Sequence, residues 1–114
     1  MSTIEISGNG DQLDVRLSGN LDSRADVEAL AAVLEAAEAE AVVVDLSATM
    51  FVSPQAAAAL RGAFAAVASR LPLNVVVPSI DVRVELVLAD VDHVVTLLLD
   101  RSQVPGLERL PVAG

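Results

Sequence analysis

Apolar residues change their spacing several times along the chain, and each change marks an element. Ile4 and Ile6 share one face of a short strand over residues 3–6, and Gly8-Asn9-Gly10-Asp11 is turn chemistry, since Gly and Asn tolerate positive φ. Leu13, Val15 and Leu17 then alternate with Asp14, Arg16 and Ser18, the period of a strand with one wet face. The two predict a hairpin at a sheet edge. After a corner at Gly19-Asn20-Leu21-Asp22 the period lengthens. Val27, Leu30, Ala31, Leu34 and Ala37 form the apolar stripe of a helix over 23–40, with Arg24, Glu28, Glu35 and Glu38 facing water. Ser23 and Asp26 open it as a capping-box-like pair, with Asp in place of the longer Glu.

The stretch 41–60, AVVVDLSATMFVSPQAAAAL, is the one the rest is organised around. Its Val-rich run over 41–46 suits a strand buried on both faces, as in a parallel sheet covered by helices. A second apolar approach over 49–52 leads to Ser53-Pro54. Ser53 can cap a helix with its hydroxyl, and Pro54 fits the first helical position, where its missing N–H has no partner to lose. The helix from 54 to about 70 then carries Leu60, Ala63, Phe64 and Val67 on its core side, and Gly62 weakens it against Ala. Its outward face is mostly alanine.

A second Val-rich strand over 73–77 ends at Pro78, and Ser79 can cap a helix over 80–89 with Asp81 in its first turn. Residues 80–86 alternate apolar and polar with strict period 2, which by itself reads as strand; their place in the alternation of strands and helices favours helix. Val91 and the run 94–99 give the last strand, and a brief helix is expected over 104–110, between turn residues and Pro111. The order β-β-α-β-α-β-α-β predicts an α/β fold in a single domain over 1–114. Its sheet is mixed and mostly parallel, with about five strands and about four helices, because strands joined through helices run parallel.

Composition narrows the chemistry. Hydrophobic residues make up 54% of 114, yet Phe51 and Phe64 are the only aromatics, so the core must interleave Val, Leu, Ile and Ala. Without cysteine there are no disulfides, Cys-based zinc sites or thiol chemistry. The first residues, MSTIEISGNG, lack the basic and apolar regions of a signal peptide, and no apolar run reaches membrane-spanning length; a soluble, cytoplasmic protein is expected. Sixteen acids against seven arginines give a net charge of −9, which repels nucleic acid and anionic membrane alike. Such a surface serves solubility or docking of a basic partner.

Candidate reaction chemistry is sparse. Ser53, His93 and several Asp are the raw parts of a triad, but there is no G-x-S-x-G elbow, and a serine capping a helix before proline is a poor nucleophile. One His with scattered carboxylates has no metal-ligand spacing, and the only glycine-rich turn lies in a hairpin rather than between strand and helix. Neither enzyme, metal nor cofactor is expected. Asp45 closes a buried strand and is read as structural, satisfied by backbone N–H groups of the loop expected next.

Gly19-Asn20-Leu21-Asp22, Val42–Ser47 (VVVDLS) and the following MFVSPQA before an apolar helix resemble the STAS domain, and more narrowly the bacterial anti-sigma-factor antagonists. The resemblance runs from about residue 3 to residue 99, in helix lengths and strand order as well as motifs. It implies a partner-switching module that binds an anti-sigma factor, often a serine kinase, through the loop and N-terminus of the second helix. Carried over residue by residue, the contact would include Asn20, Asp22, Ser53, Pro54, Gln55 and Ala58. The family's phosphoacceptor motif is altered here: Ser53 stands where Asp is usual, Pro54 at the acceptor position, Gln55 next and Ala56 in place of Gly. Proline has no hydroxyl to modify. Ser53, one residue early, is the alternative acceptor, although its cap role explains it without phosphate. Asp22 has the parallel reading of helping to cap the first helix. The other function the resemblance allows is a ligand-binding STAS protein or an accessory subunit of a transport complex. Self-association, where it occurs, is expected to be a weak homodimer.

Overall fold

The computed structural model of the chain describes residues 2–8 and 11–103. One sheet holds five strands in chain order: β1 (Ser2–Gly8), β2 (Gln12–Leu21), β3 (Ala41–Val52), β4 (Leu73–Val76) and β5 (Thr96–Leu98). β1 pairs antiparallel with β2, and every later pair is parallel. The crossovers are α1 (Arg24–Glu35), α2 (Pro54–Ala68) and α3 (Ile80–Leu88). The mixed, mostly parallel α/β sheet is the architecture that the hydrophobic pattern predicts. The helix number differs. Among the described residues there are three α-helices and two 3₁₀ turns, Val91–His93 and Arg101–Gln103; the brief helix expected over 104–110 lies outside them.

Alternation along the strands sets the layers. Val15, Leu17, Val42, Val44, Leu46 and Val75 meet the buried stripes of all three helices in one core, in which Phe64 is the largest fully buried side chain. On the other face Val43 and Val76 are also buried, with Leu98 packed against them, beside Asp14, Arg16 and Asp45. β3 is therefore buried on both sides from Val42 to Leu46, while the helices pack on one.

Several boundaries shift for identifiable reasons. β3 does not stop at Leu46. It runs to Val52 across two bulges, where Arg16 and Ser18 of β2 face Asp45 and Ala48, and Gly19 and Asn20 face Thr49 and Phe51. The Thr49 hydroxyl, buried in this stretch, donates to the Leu17 carbonyl at 3.0 Å. Gly19 takes φ 93 opposite the second bulge, a conformation open to glycine. α1 ends well short of Glu40. Its C-terminal carbonyls are taken by Arg70, whose guanidinium donates to Leu34, to Glu35 at 3.2 Å and to Ala37 at 3.3 Å. A cation reaching across from the end of α2 thus answers the negative end of α1, whose own last turn has no basic residue. Val91 opens a 3₁₀ turn instead of a strand, entered through Asp90 at φ 63, and the last strand shrinks to three residues.

Candidate functional site

The parallel strands deliver their C-terminal ends to one edge of the molecule, and the corner after β3 lies there. Ser53 is 7% exposed, and its backbone N–H donates to the Leu21 carbonyl at 2.9 Å. Its hydroxyl donates to the Asp22 carbonyl at 2.9 Å and accepts from the Ala56 N–H at 3.1 Å, so one side chain caps α2 and ties it to the end of β2. Pro54 is the first helical residue and is exposed, as are Gln55 and Ala58 one turn on. No acidic residue occupies the first turn of α2.

Asp22 and Ser23 lead into α1 beside this corner. The Asp26 carboxylate accepts the N–H of Asp22 at 2.9 Å and of Ser23 at 3.3 Å, the acid half of the expected capping pair. The Asp22 N–H above all, working against a burial effect and joined by the Ser23 N–H and the Ser2 hydroxyl, holds the Asp26 carboxyl below the usual range. The positive end of α1 is therefore already met by a carboxylate, whereas that of α2 is met only by a neutral hydroxyl.

Asp22, Ser23, Arg24, Gln55 and Ala58 line one shallow hollow between the two helix starts. Asn20 is exposed on β2 opposite Phe51 and does not line it. The six residues that the sequence singles out thus share one end of the molecule, with Ser53 set beneath the surface as its support.

The solved structures similar to this fold include two anti-sigma factor antagonists. One is an anti-sigma factor antagonist from Mycobacterium paratuberculosis, at TM-score 0.71 and 22% identity over 90% of this chain and 89% of that one. The other is the anti-sigma factor antagonist SpoIIAA in its unphosphorylated form, at TM-score 0.54 and 14% identity over 71% of this chain and 78% of that one. The chain has the STAS fold. At the level of sequence, no protein-family model and no curated protein matched it.

Within this STAS fold the remaining chemical candidates fall elsewhere. His93 is mostly exposed in the 3₁₀ turn after α3, with Nδ1 3.5 Å from Asp90 and Nε2 4.0 Å from Asp92. No group of three or more His, Cys, Asp or Glu among the described residues could hold a metal ion. Asp45 accepts the Ser47 N–H at 2.8 Å, as its structural reading requires, though Ser47 lies within β3 itself. Sequence reasoning missed its second partner, Arg101, at 3.4 Å, which arrives from 56 residues away without a local signal. Sequence reasoning also missed an exposed apolar surface on α3. Its signal was present in the strict apolar alternation of residues 80–86, which places apolar side chains on two faces of a helix.

Proposed function

We propose that the protein is a regulatory binding module of the anti-sigma-factor-antagonist type, which docks on an anti-sigma factor of the serine-kinase kind through the corner at residues 51–58. The observation that carries this reading is the exposed start of α2: Pro54, Gln55 and Ala58 face outward beside Asp22, on a base made rigid by the buried Ser53 hydroxyl. The likeness in fold to two anti-sigma factor antagonists supports it. The site is a contact surface with no reaction assigned to it.

A phosphate switch at the usual position is chemically closed, since Pro54 has no hydroxyl. At Ser53 the obstacle is geometric. Phosphorylation would remove the proton donated to the Asp22 carbonyl and put about −1.5 to −2 charge at a buried oxygen facing that carbonyl. The module is therefore read as permanently competent to bind.

The test pairs binding with modification. Pro54→Asp and Ala58→Glu, both at exposed positions, are expected to weaken binding to the kinase-type anti-sigma factor at least about tenfold, with the melting temperature within a few degrees of the parent. Incubation with that kinase and ATP is expected to leave the intact mass unchanged. Unaltered affinity in both variants would remove the corner from the interface, and stoichiometric gain of one phosphate would end the reading of a lost switch.

A further inference from the structure

Beside the corner, the molecule leaves a large apolar surface uncovered. Met50 is 75% exposed, Ile80 68% and Leu88 73%, and Phe51, Val84 and Val87 are exposed as well. On α3 the positions 80, 84, 87 and 88 fall at i, i+4, i+7 and i+8, one continuous stripe, while Val82 and Leu86 face the core from the opposite side. Val84 also lines a cleft with Met50 and Phe51, the residues that the second bulge turns out of β3. Stripe and cleft thus form one surface about 13 Å long, the rise of a nine-residue helix. Soluble proteins rarely leave such a contiguous patch without a partner.

The charges around it identify the partner's chemistry. Asp81 and Glu85 line the cleft, and Asp90 and Asp92 follow at the C-terminal end of α3. The one cation on the helix, Arg83, donates to the Val77 carbonyl at 3.2 Å and is outnumbered by these four acids, so the surroundings stay acidic. A second copy of the chain fits poorly. In a twofold contact the patch would meet itself, bringing Asp81 and Glu85 against acids on two molecules that each carry −9. We infer that this surface receives an amphipathic helix of another protein, with apolar side chains on one face and Lys or Arg along its flanks. The surface lies apart from the hollow between the starts of α1 and α2 and shares with the proposed corner only Phe51 and Val52 at its edge.

A designed probe tests it on the full chain: a Leu/Lys amphipathic peptide of about 18 residues, five turns of helix, beside a Leu/Glu peptide of the same pattern. Expected are saturable amide shifts confined to residues 50–52 and 80–92, with the Leu/Glu peptide binding at least about tenfold more weakly. Leu88→Asp and Ile80→Asp, at largely exposed positions, should each cost at least about tenfold in affinity although they add negative charge; Ala58→Glu at the corner should cost nothing. Val84→Ala provides a milder variant and should weaken binding in the same direction. Shifts spread over the acidic surface, with the Asp variants binding as well as the parent, would reduce the effect to charge alone and overturn the inference. So would equal binding of the Leu/Glu peptide, or a concentration-dependent dimer that Leu88→Asp dissolves, which would make a second copy the occupant.

Discussion

Ser53 joins two segments with one side chain, the end of β2 through the Asp22 carbonyl and the start of α2 through the Ala56 N–H, and its backbone N–H adds a second bond to β2 at the Leu21 carbonyl. A buried hydroxyl that both donates and accepts leaves two groups unsatisfied when it is removed. Ser53→Ala is therefore expected to cost about 1–2 kcal/mol, the combined scale of a helix cap and a buried hydrogen bond. In thermal unfolding this should lower the melting temperature by roughly 5 °C or more. A melting temperature within a degree of the parent would mean that the hydroxyl is not what holds the corner. Gly8 is a second residue whose identity is set by its surroundings: at φ 120, a Cβ would run into the Gln12 carbonyl oxygen.

At the scale of elements, the five strands, α1 and α2 could be read from periodicity, capping and turn chemistry, and α3 from its place in the alternation of strands and helices; the 3₁₀ turns at Val91–His93 and Arg101–Gln103 could not. Val15, Leu17, Val44 and Leu60 fall in the core as their spacing requires. What could not be read was set by distant contacts. β3 continues past Ser47 because it stays paired with β2 through bulges at 46–47 and at Met50, and α1 stops early at carbonyls that Arg70 covers from across the α1–α2 contact. The corner was legible because Ser-Pro before an alanine run is local; the second partner of Asp45 was not, because nothing near it in sequence predicts Arg101. α3 was ambiguous for a reason now visible: an outward apolar stripe added to an inward one mimics the alternation of a strand. Gly62 poses the reverse case, a helix-weakening residue with no packing reason to be there. It is exposed in the middle of α2, and an added Cβ would meet no heavy atom within 4 Å. Gly62→Ala should stabilise the protein by about 0.5–1 kcal/mol, raising the melting temperature by roughly 3–5 °C. A fall in melting temperature would show that α2 needs the freedom of glycine at that turn.

At the scale of the whole molecule, distant parts of the chain meet on the sheet face away from α1, α2 and α3. Arg101 donates to both carboxylate oxygens of Asp14, at 2.8 and 2.7 Å, and reaches Asp45 at 3.4 Å. In a chain of net charge −9, this is where a cation binds two strands of the sheet to the segment after β5. Burial by itself pushes the Asp45 carboxyl up; the hydroxyl and N–H of Ser47, together with the charge and hydrogen bond of Arg101, outweigh it and hold the group below its ordinary 3.8. The Asp14 hydrogen bond, opposed by burial and aided by both carboxylate charges, raises Arg101. A carboxylate depressed in the folded state adds stability that is complete above its unfolded pKa of about 3.9 and is lost as pH falls through the folded value. The window therefore lies below about pH 4. Arg101 is 40% exposed, so water screens much of the attraction, and Arg101→Ala is expected to cost only about 1 kcal/mol at neutral pH. That cost should shrink as acid protonates Asp45, so denaturant curves of parent and variant should converge from about pH 4 downward. Asp45→Asn should flatten the acid limb of the stability profile in the same window. Curves for Arg101→Ala that stay parallel to the parent through the acid range would place the origin of acid sensitivity elsewhere, with Asp26 at the start of α1 the next carboxylate to examine.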